Sequence, residues 1–116
     1  MIPFKNRFHG HGSLRYVYAH GHAVRSHLLT LKHSSHPKRK EPRIAVVISK
    51  KVIKAAVGRN RVRRRLYEIV RQELPTIQPN SDIVLLVFSA EVFALPQKEL
   101  EDSVKQLLAS AGVYKK

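Results

Sequence analysis

Cysteine and tryptophan are absent from these 116 residues, and methionine occurs once. Without cysteine there can be no disulfide scaffold, no thiolate zinc site and no cysteine nucleophile. No apolar run approaches the ~20 residues of a membrane-spanning helix. The opening segment Met1-Ile2-Pro3-Phe4-Lys5-Asn6-Arg7 has no apolar signal core behind its charges. These absences lead us to expect a cytoplasmic protein with no membrane partner. Internal repeats and long low-complexity segments are missing as well. Acidic residues are scarce in one half only: Glu41 is the single acid in residues 1–65.

Hydrophobic residues make up 43% of the chain. A chain of this size buries roughly two-thirds of the surface its unfolded form exposes, which suits one domain spanning residues 1–116. Lys and Arg number 22 against 8 Asp and Glu, for a net charge of +14. Residues 1–65 carry +16 of that charge, and residues 66–116 carry −2. Self-repulsion on this scale opposes a compact state in the absence of an anionic partner. An ordinary soluble surface intersperses its signs. A chain that concentrates one sign is expected to bind a polyanion such as nucleic acid.

Residues 1–12 are polar and rich in Gly and His, and are expected to form a flexible tip. Ser13 is a candidate helix cap, with Leu14, Val17 and Tyr18 following at i, i+3, i+4 spacing and Gly21 as the stop. Residues 23–33 predict a strand in which Leu29 and Leu31 face one side, Thr30 and Lys32 the other. Residues 34–42 predict a basic loop. Ile44 to Ile48 and Asp82 to Phe88 are continuous apolar runs, expected as strands covered on both faces. Between them, Val62, Leu66, Ile69 and Val70 form the core stripe of a helix from Ala55 to Glu73, ended by Pro75. Pro96 suits a first helical position; Leu100, Val104, Leu107, Leu108 and Ala111 repeat the stripe, and Gly112 can close it. The order is helix, strand, strand, helix, strand, helix. It predicts a small two-layer α+β sandwich with helices on one side of a short sheet and one βαβ-like unit.

From Lys50 to Arg65 there are eight basic residues and no acid. At 100° per residue, Asn60, Arg64 and Arg71 lie opposite the core stripe, with Arg61 and Arg63 on the two flanks. Such a face cannot be buried, because each unpaired buried cation costs several kcal/mol. The bland reading is a solvated face, but an idle face normally mixes its signs. A helix lying on a membrane would want Trp or Phe in an apolar stripe that the core did not need. Guanidinium binds phosphate bidentately and stacks on bases, so this arginine-rich face points to nucleic acid. The candidate nucleic-acid-binding cations of this stretch are Lys50, Lys51, Lys54, Arg59, Arg61, Arg63 and Arg64.

The segment Ile44-Ala45-Val46-Val47-Ile48-Ser49-Lys50-Lys51, then Ala55, then Arg59-Asn60-Arg61-Val62-Arg63-Arg64 resembles the protein component of bacterial ribonuclease P. In that family a strand ending in Ser-Lys-Lys is followed, after a short spacer, by an Arg-Asn-Arg helix, and the whole chain fits the family's element order. The resemblance implies a ribosomal-protein-S5-domain-2-like fold with a left-handed βαβ crossover, an exception to the usual rule. It implies the accessory subunit of a ribonucleoprotein endoribonuclease that matures the 5′ end of tRNA. Its partners would be the catalytic RNA subunit, one protein per RNA, and precursor tRNA, whose 5′ leader lies in a cleft between the first helix and the sheet. Hydrolysis and Mg²⁺ would belong to the RNA, with no catalytic residue and no metal site on the protein. Lys50, Lys51, Arg59, Asn60, Arg61, Arg63 and Arg64 match the motif positions that contact RNA in the family, and Leu14, Tyr18 and Lys32 match cleft positions. Three positions depart from the family pattern: Leu14 lacks a ring, Arg65 stands where an apolar residue is usual, and Tyr67 where a basic one is usual.

Two other function classes fit the composition: a general RNA-binding module such as a ribosomal protein or RNA chaperone, and an autonomous nuclease using two histidines. The seven histidines include the pairs His9/His11 and His20/His22, but the N-terminal half offers only Glu41 to complete a ligand set. Tyr16 and Phe88 are expected to serve packing more than base stacking, with Tyr18 balanced between the two. Phe4 and Phe8 fit either a mobile contact or a hydrophobic tether.

Overall fold

The computed structural model describes residues 4–8, 11–26, 28–36 and 40–115. Its helices are α1 (His11–His20), α2 (Ala56–Glu73) and α3 (Gln97–Ala111). Its strands are β1 (His22–Arg25), β2 (Leu29–Ser35), β3 (Arg43–Ile48) and β4 (Ser81–Val87). Short 3₁₀ turns cover Phe4–Asn6, Leu74–Thr76 and Ala90–Ala94. The strands form one sheet in the order β1-β2-β4-β3, with β3 and β4 parallel and the other pairs antiparallel. The β3–α2–β4 segment is the expected βαβ unit.

The core lies between the sheet and the layer of α2 and α3. Val62, Leu66, Ile69 and Val70 of α2, with Leu100, Val104, Leu107 and Leu108 of α3, are buried against Leu29, Leu31, Ile44, Val46, Ile48, Ile83, Leu85 and Val87. Each such side chain contributes about 1.5–3 kcal/mol on burial. Both helical stripes therefore fall where the 3.6-residue spacing predicts. Gly112 closes α3 in the left-handed conformation, φ 71°.

The structure differs from the sequence reading in the strand count, in the bounds of β2 and α1, in the placement of α1 and at the N-terminus. The sheet has one strand more than expected, because β1 pairs with β2 in a hairpin in which Ser26 Oγ accepts the Leu29 amide. β2 runs on to Ser35, so the expected 34–42 loop is shorter; residues 37–39 of it lie outside the described residues. α1 starts at His11, which places Ser13 inside the helix and not at its cap. α1 also lies on the sheet face opposite α2 and α3, where Val17 and Val84 are buried apart from the main core. Finally, residues 4–8 are not a free tip. Asn6 Nδ2 donates to the Pro42 carbonyl at 2.8 Å, Arg7 bridges to Ile44, and the Arg43 guanidinium sits 4.7 Å from the Phe8 ring centroid. Phe8 is thus a tether; the Phe4 side chain and residues 1–3, 9 and 10 lie outside the described residues.

Gly21 ends α1 with its N–H on the Val17 carbonyl at 2.8 Å; a Cβ there would come within 2.5 Å of that oxygen and 2.9 Å of the His33 carbonyl of β2, so the absence of a side chain lets the helix end approach the sheet. Across the parallel pair, Arg43 and Asp82 are register partners in a buried, two-pronged ion pair at 3.0–3.1 Å.

Candidate nucleic-acid interface

The basic helix is fixed to the sheet by a tight turn. The Ser49 carbonyl accepts the amides of Val52 (3.1 Å) and Ile53 (3.2 Å), which turns the chain sharply after β3 and leaves Lys50 and Lys51 exposed. Arg59 Nη1 reaches back to the carbonyls of Ile53 (3.0 Å) and Lys54 (2.7 Å), tying the turn to the first turns of α2. Ala55 at the N-cap offers no side-chain cap, and the first turn holds no acid. The amides and positive dipole end of α2 therefore add to the field of Lys50, Lys51 and Lys54.

Along the helix, Arg63 Nη1 donates to Asn60 Oδ1 at 2.8 Å. The Arg61 guanidinium lies 5.6 Å from the Phe93 ring centroid. Arg64 is exposed. Among the described residues, no acidic side chain forms an ion pair with Lys50, Lys51, Lys54, Arg59, Arg61, Arg63 or Arg64. Arg71, grouped with this face by the helical angle, is instead paired with Glu68. That contact lowers the Glu68 pKa, chiefly through the hydrogen bond from Arg71.

Both departures from the family pattern on α2 have structural partners. Arg65 donates to Gln97 Oε1 (2.9 Å) and to the carbonyls of Leu95 (2.6 Å), Val92 (3.3 Å) and Phe93 (3.4 Å). It is a clamp on the 90–95 segment. Tyr67 Oη accepts the amide of Val46 at 3.2 Å, which satisfies a donor on the open edge of β3.

The other sheet face, beside α1, is where the resemblance implies a cleft. Registered pairs give two rows across it: Ala23, Lys32, Val84, Ala45, and then Arg25, Thr30, Leu86, Val47. Lys32 Nζ donates to the Tyr18 carbonyl at 3.3 Å and lies 5.3 Å from the Tyr18 ring centroid, so these two predicted cleft residues meet. Partial burial raises the Tyr18 pKa. Leu14, at the other end of α1, lines a groove of about 390 Å³ with Phe8, Ala45, Val47 and Tyr67. Ala45 and Val47 are only half-buried, so β3 is not covered on both faces as its apolar run suggested.

Two aromatics correct the sequence reading. Tyr16 is 55% exposed and Phe88 48%; Tyr18, at 36%, is open on the face where the cleft is expected. Phe88 follows Leu86 on the cleft face, and the alternation of β4 was enough to place it there. Tyr16 stacks loosely on His20, centroids 4.8 Å apart. Of the histidine pairs, His22 faces His33 across the β1–β2 hairpin at 5.8 Å, while His9 lies outside the described residues. Among the described residues no group of three or more His, Cys, Asp or Glu is placed to hold a metal ion. No described helix is long and apolar enough to cross a membrane.

A family model described as Ribonuclease P matches residues 2–112. A ribonuclease P protein component from Pseudanabaena is 39% identical over 114 residues, 97% of each chain. One from Synechococcus is 32% identical, covering 97% of this chain and 86% of its own. Among solved structures, the Staphylococcus aureus ribonuclease P protein superposes with a TM-score of 0.84 at 20% identity, over 95% of this chain and 98% of that one. The Thermotoga maritima protein gives 0.78 at 19% identity, over 88% and 94%. The two structures share the fold, while the family model and the cyanobacterial relatives reach along almost all of the sequence: this chain belongs to the ribonuclease P protein family, the accessory subunits of a ribonucleoprotein endoribonuclease.

Proposed function

We propose that the outer face of α2 and the Ser49-Lys50-Lys51 turn bind the catalytic RNA subunit, and that the cleft beside α1 holds the 5′ leader of precursor tRNA. The observation that carries this reading is the run of cations from Lys50 to Arg64 with no acidic partner among the described residues. A polyanion relieves their mutual repulsion. Leu14, Tyr18 and Lys32 would contact the leader, with Lys32 supplying the charge and Tyr18 the ring. The protein's own chemistry is then positioning and charge neutralisation. It favours precursor over product because only the precursor has a leader. Mg²⁺ and the hydrolytic step stay with the RNA, and screening of phosphate repulsion lowers the Mg²⁺ the RNA needs. One protein per RNA subunit, in the cytoplasm, completes the proposal.

The test is reconstitution. Protein alone leaves precursor tRNA intact, and adding it to the RNA subunit restores cleavage at low Mg²⁺; robust cleavage by RNA-free protein would sink the reading. With the RNA subunit present, leader-bearing tRNA binds tighter than leaderless tRNA. Equal affinities would favour a general RNA-binding module. If the seven cations from Lys50 to Arg64 meet phosphates, log affinity falls with log salt at a slope of roughly −5 to −6.

A further inference from the structure

Phosphate binding leaves one feature of α2 unexplained. Val57 is 72% exposed and Phe93 42%. With Val52, Ile53, Gly58 and Arg61 they line a mostly apolar cavity of about 490 Å³, open to solvent. That volume lies within the ~300–1,000 Å³ range of small-ligand sites. Gly58 lies in its wall: a Cβ there would come within 2.9 Å of Ile53 Cγ2 and meet the Phe93 ring at an ordinary 3.5 Å. Glycine inside a helix costs roughly 0.5–1 kcal/mol relative to alanine, and here it spares the contact with Ile53.

The rim decides what fits. Arg61 sits over Phe93, Lys54 precedes the helix, and Arg64 follows one turn later; Glu91, beside Ala90 of the lining, is the acid nearest in sequence. An apolar peptide gains nothing from that charge. A second copy of this +14 chain would have to bring its own cations against it. An unpaired nucleobase meets both demands, because its π-face stacks on a ring or a guanidinium while its flanking phosphates meet the rim. The cavity lies on the helical side of the sheet, away from the cleft beside α1. We propose that it takes one unpaired base of the catalytic RNA subunit, a contact that rests on the RNA-binding reading above.

The absence of tryptophan makes a direct test available. Phe93→Trp introduces a single indole into the full chain. It is titrated with the ribonuclease P RNA of a cyanobacterial relative, with emission and filter retention followed together. Emission should fall by half or more at saturation. Phe93→Leu, which keeps an apolar side chain, should weaken RNA binding by about fivefold or more, by a similar factor at low and high salt, because stacking releases no counterions. Normal retention with unchanged emission, and Phe93→Leu within twofold, would overturn the cavity proposal and leave the RNA-binding reading standing. Failure of the unaltered chain to retain the RNA would sink both. Quenching by precursor tRNA alone, or quenching that grows with protein concentration without RNA, would assign the cavity to another occupant and refute the proposal.

Discussion

Arg64 and Arg65 are adjacent in sequence and, on this structure, serve unrelated ends. Arg64 is exposed and has no acidic partner among the described residues. Arg65 is half-buried and holds the 90–95 segment through four acceptors. Only two of its bonds are short, those to Leu95 O at 2.6 Å and Gln97 Oε1 at 2.9 Å. At about 1 kcal/mol net for each, with little from the two long ones, Arg65→Met costs about 2 kcal/mol. Removing a charge from a crowded basic helix offsets part of this. The melt is therefore run near 1 M salt, where the screening length is only about 3 Å. For a chain of this size that predicts a melting temperature lower by about 8 °C. Arg64→Ala should stay within about 0.5 kcal/mol of the unaltered chain. In RNA titrations the two variants trade places. Arg64→Ala should flatten the log–log salt slope by about one unit, whereas Arg65→Met should leave it unchanged at a temperature where the variant is folded. Indistinguishable melting temperatures would refute the clamp.

Val62 is fully buried in the α2 stripe, so Val62→Ala should cost about 2 kcal/mol in chemical denaturation with no change in the salt slope of the folded protein. Asp82→Asn removes the negative charge from the buried Arg43–Asp82 pair and should lower stability by about 3 kcal/mol; a loss below about 1 kcal/mol would contradict the burial. Burial, and secondarily the charge of His22, lowers the His33 pKa below its ordinary value. The unfolded chain then takes up the proton more readily, so the His33 contribution is complete above about pH 6.5 and is lost as pH falls through that value. The RNA-free chain should lose more melting temperature between pH 8 and pH 5.5 than its His33→Gln variant, and the opposite ordering would contradict this assignment.

Legibility in the sequence depended on the range of the interactions involved. The stripes of α2 and α3 could be read because 3.6-residue spacing is local and burial enforces it. The Gly112 stop was legible for the same reason. The division of the expected 23–33 strand into β1 and β2 was not, since the turn at Ser26 carries no Gly, Pro or Asn to mark it. The run Ile44 to Ile48 suggested two covered faces, but α1 packs chiefly on β2 and β4, which leaves Ala45 and Val47 of β3 half-buried. Arg65 and Tyr67 looked like departures because their partners lie about 20 to 30 residues away. Phe93 carried no periodic signal, and its place beside Arg61 is set by that same Arg65 clamp.

These contacts also explain how one helix can serve core and interface together. The core stripe of Val62, Leu66, Ile69 and Val70 runs to the end of α2, while the unpaired cations stop at Arg64. Arg65 turns its charge inward onto carbonyls, and Arg71 directs its charge to Glu68. The basic face is therefore short, confined to the first half of α2 and the turn before it. That is also the end where the helix amides are uncapped and where Phe93 and Val57 stand open. Charge, dipole and apolar surface converge there, and each favours a different part of the same ligand: the phosphates, the phosphates again, and a base.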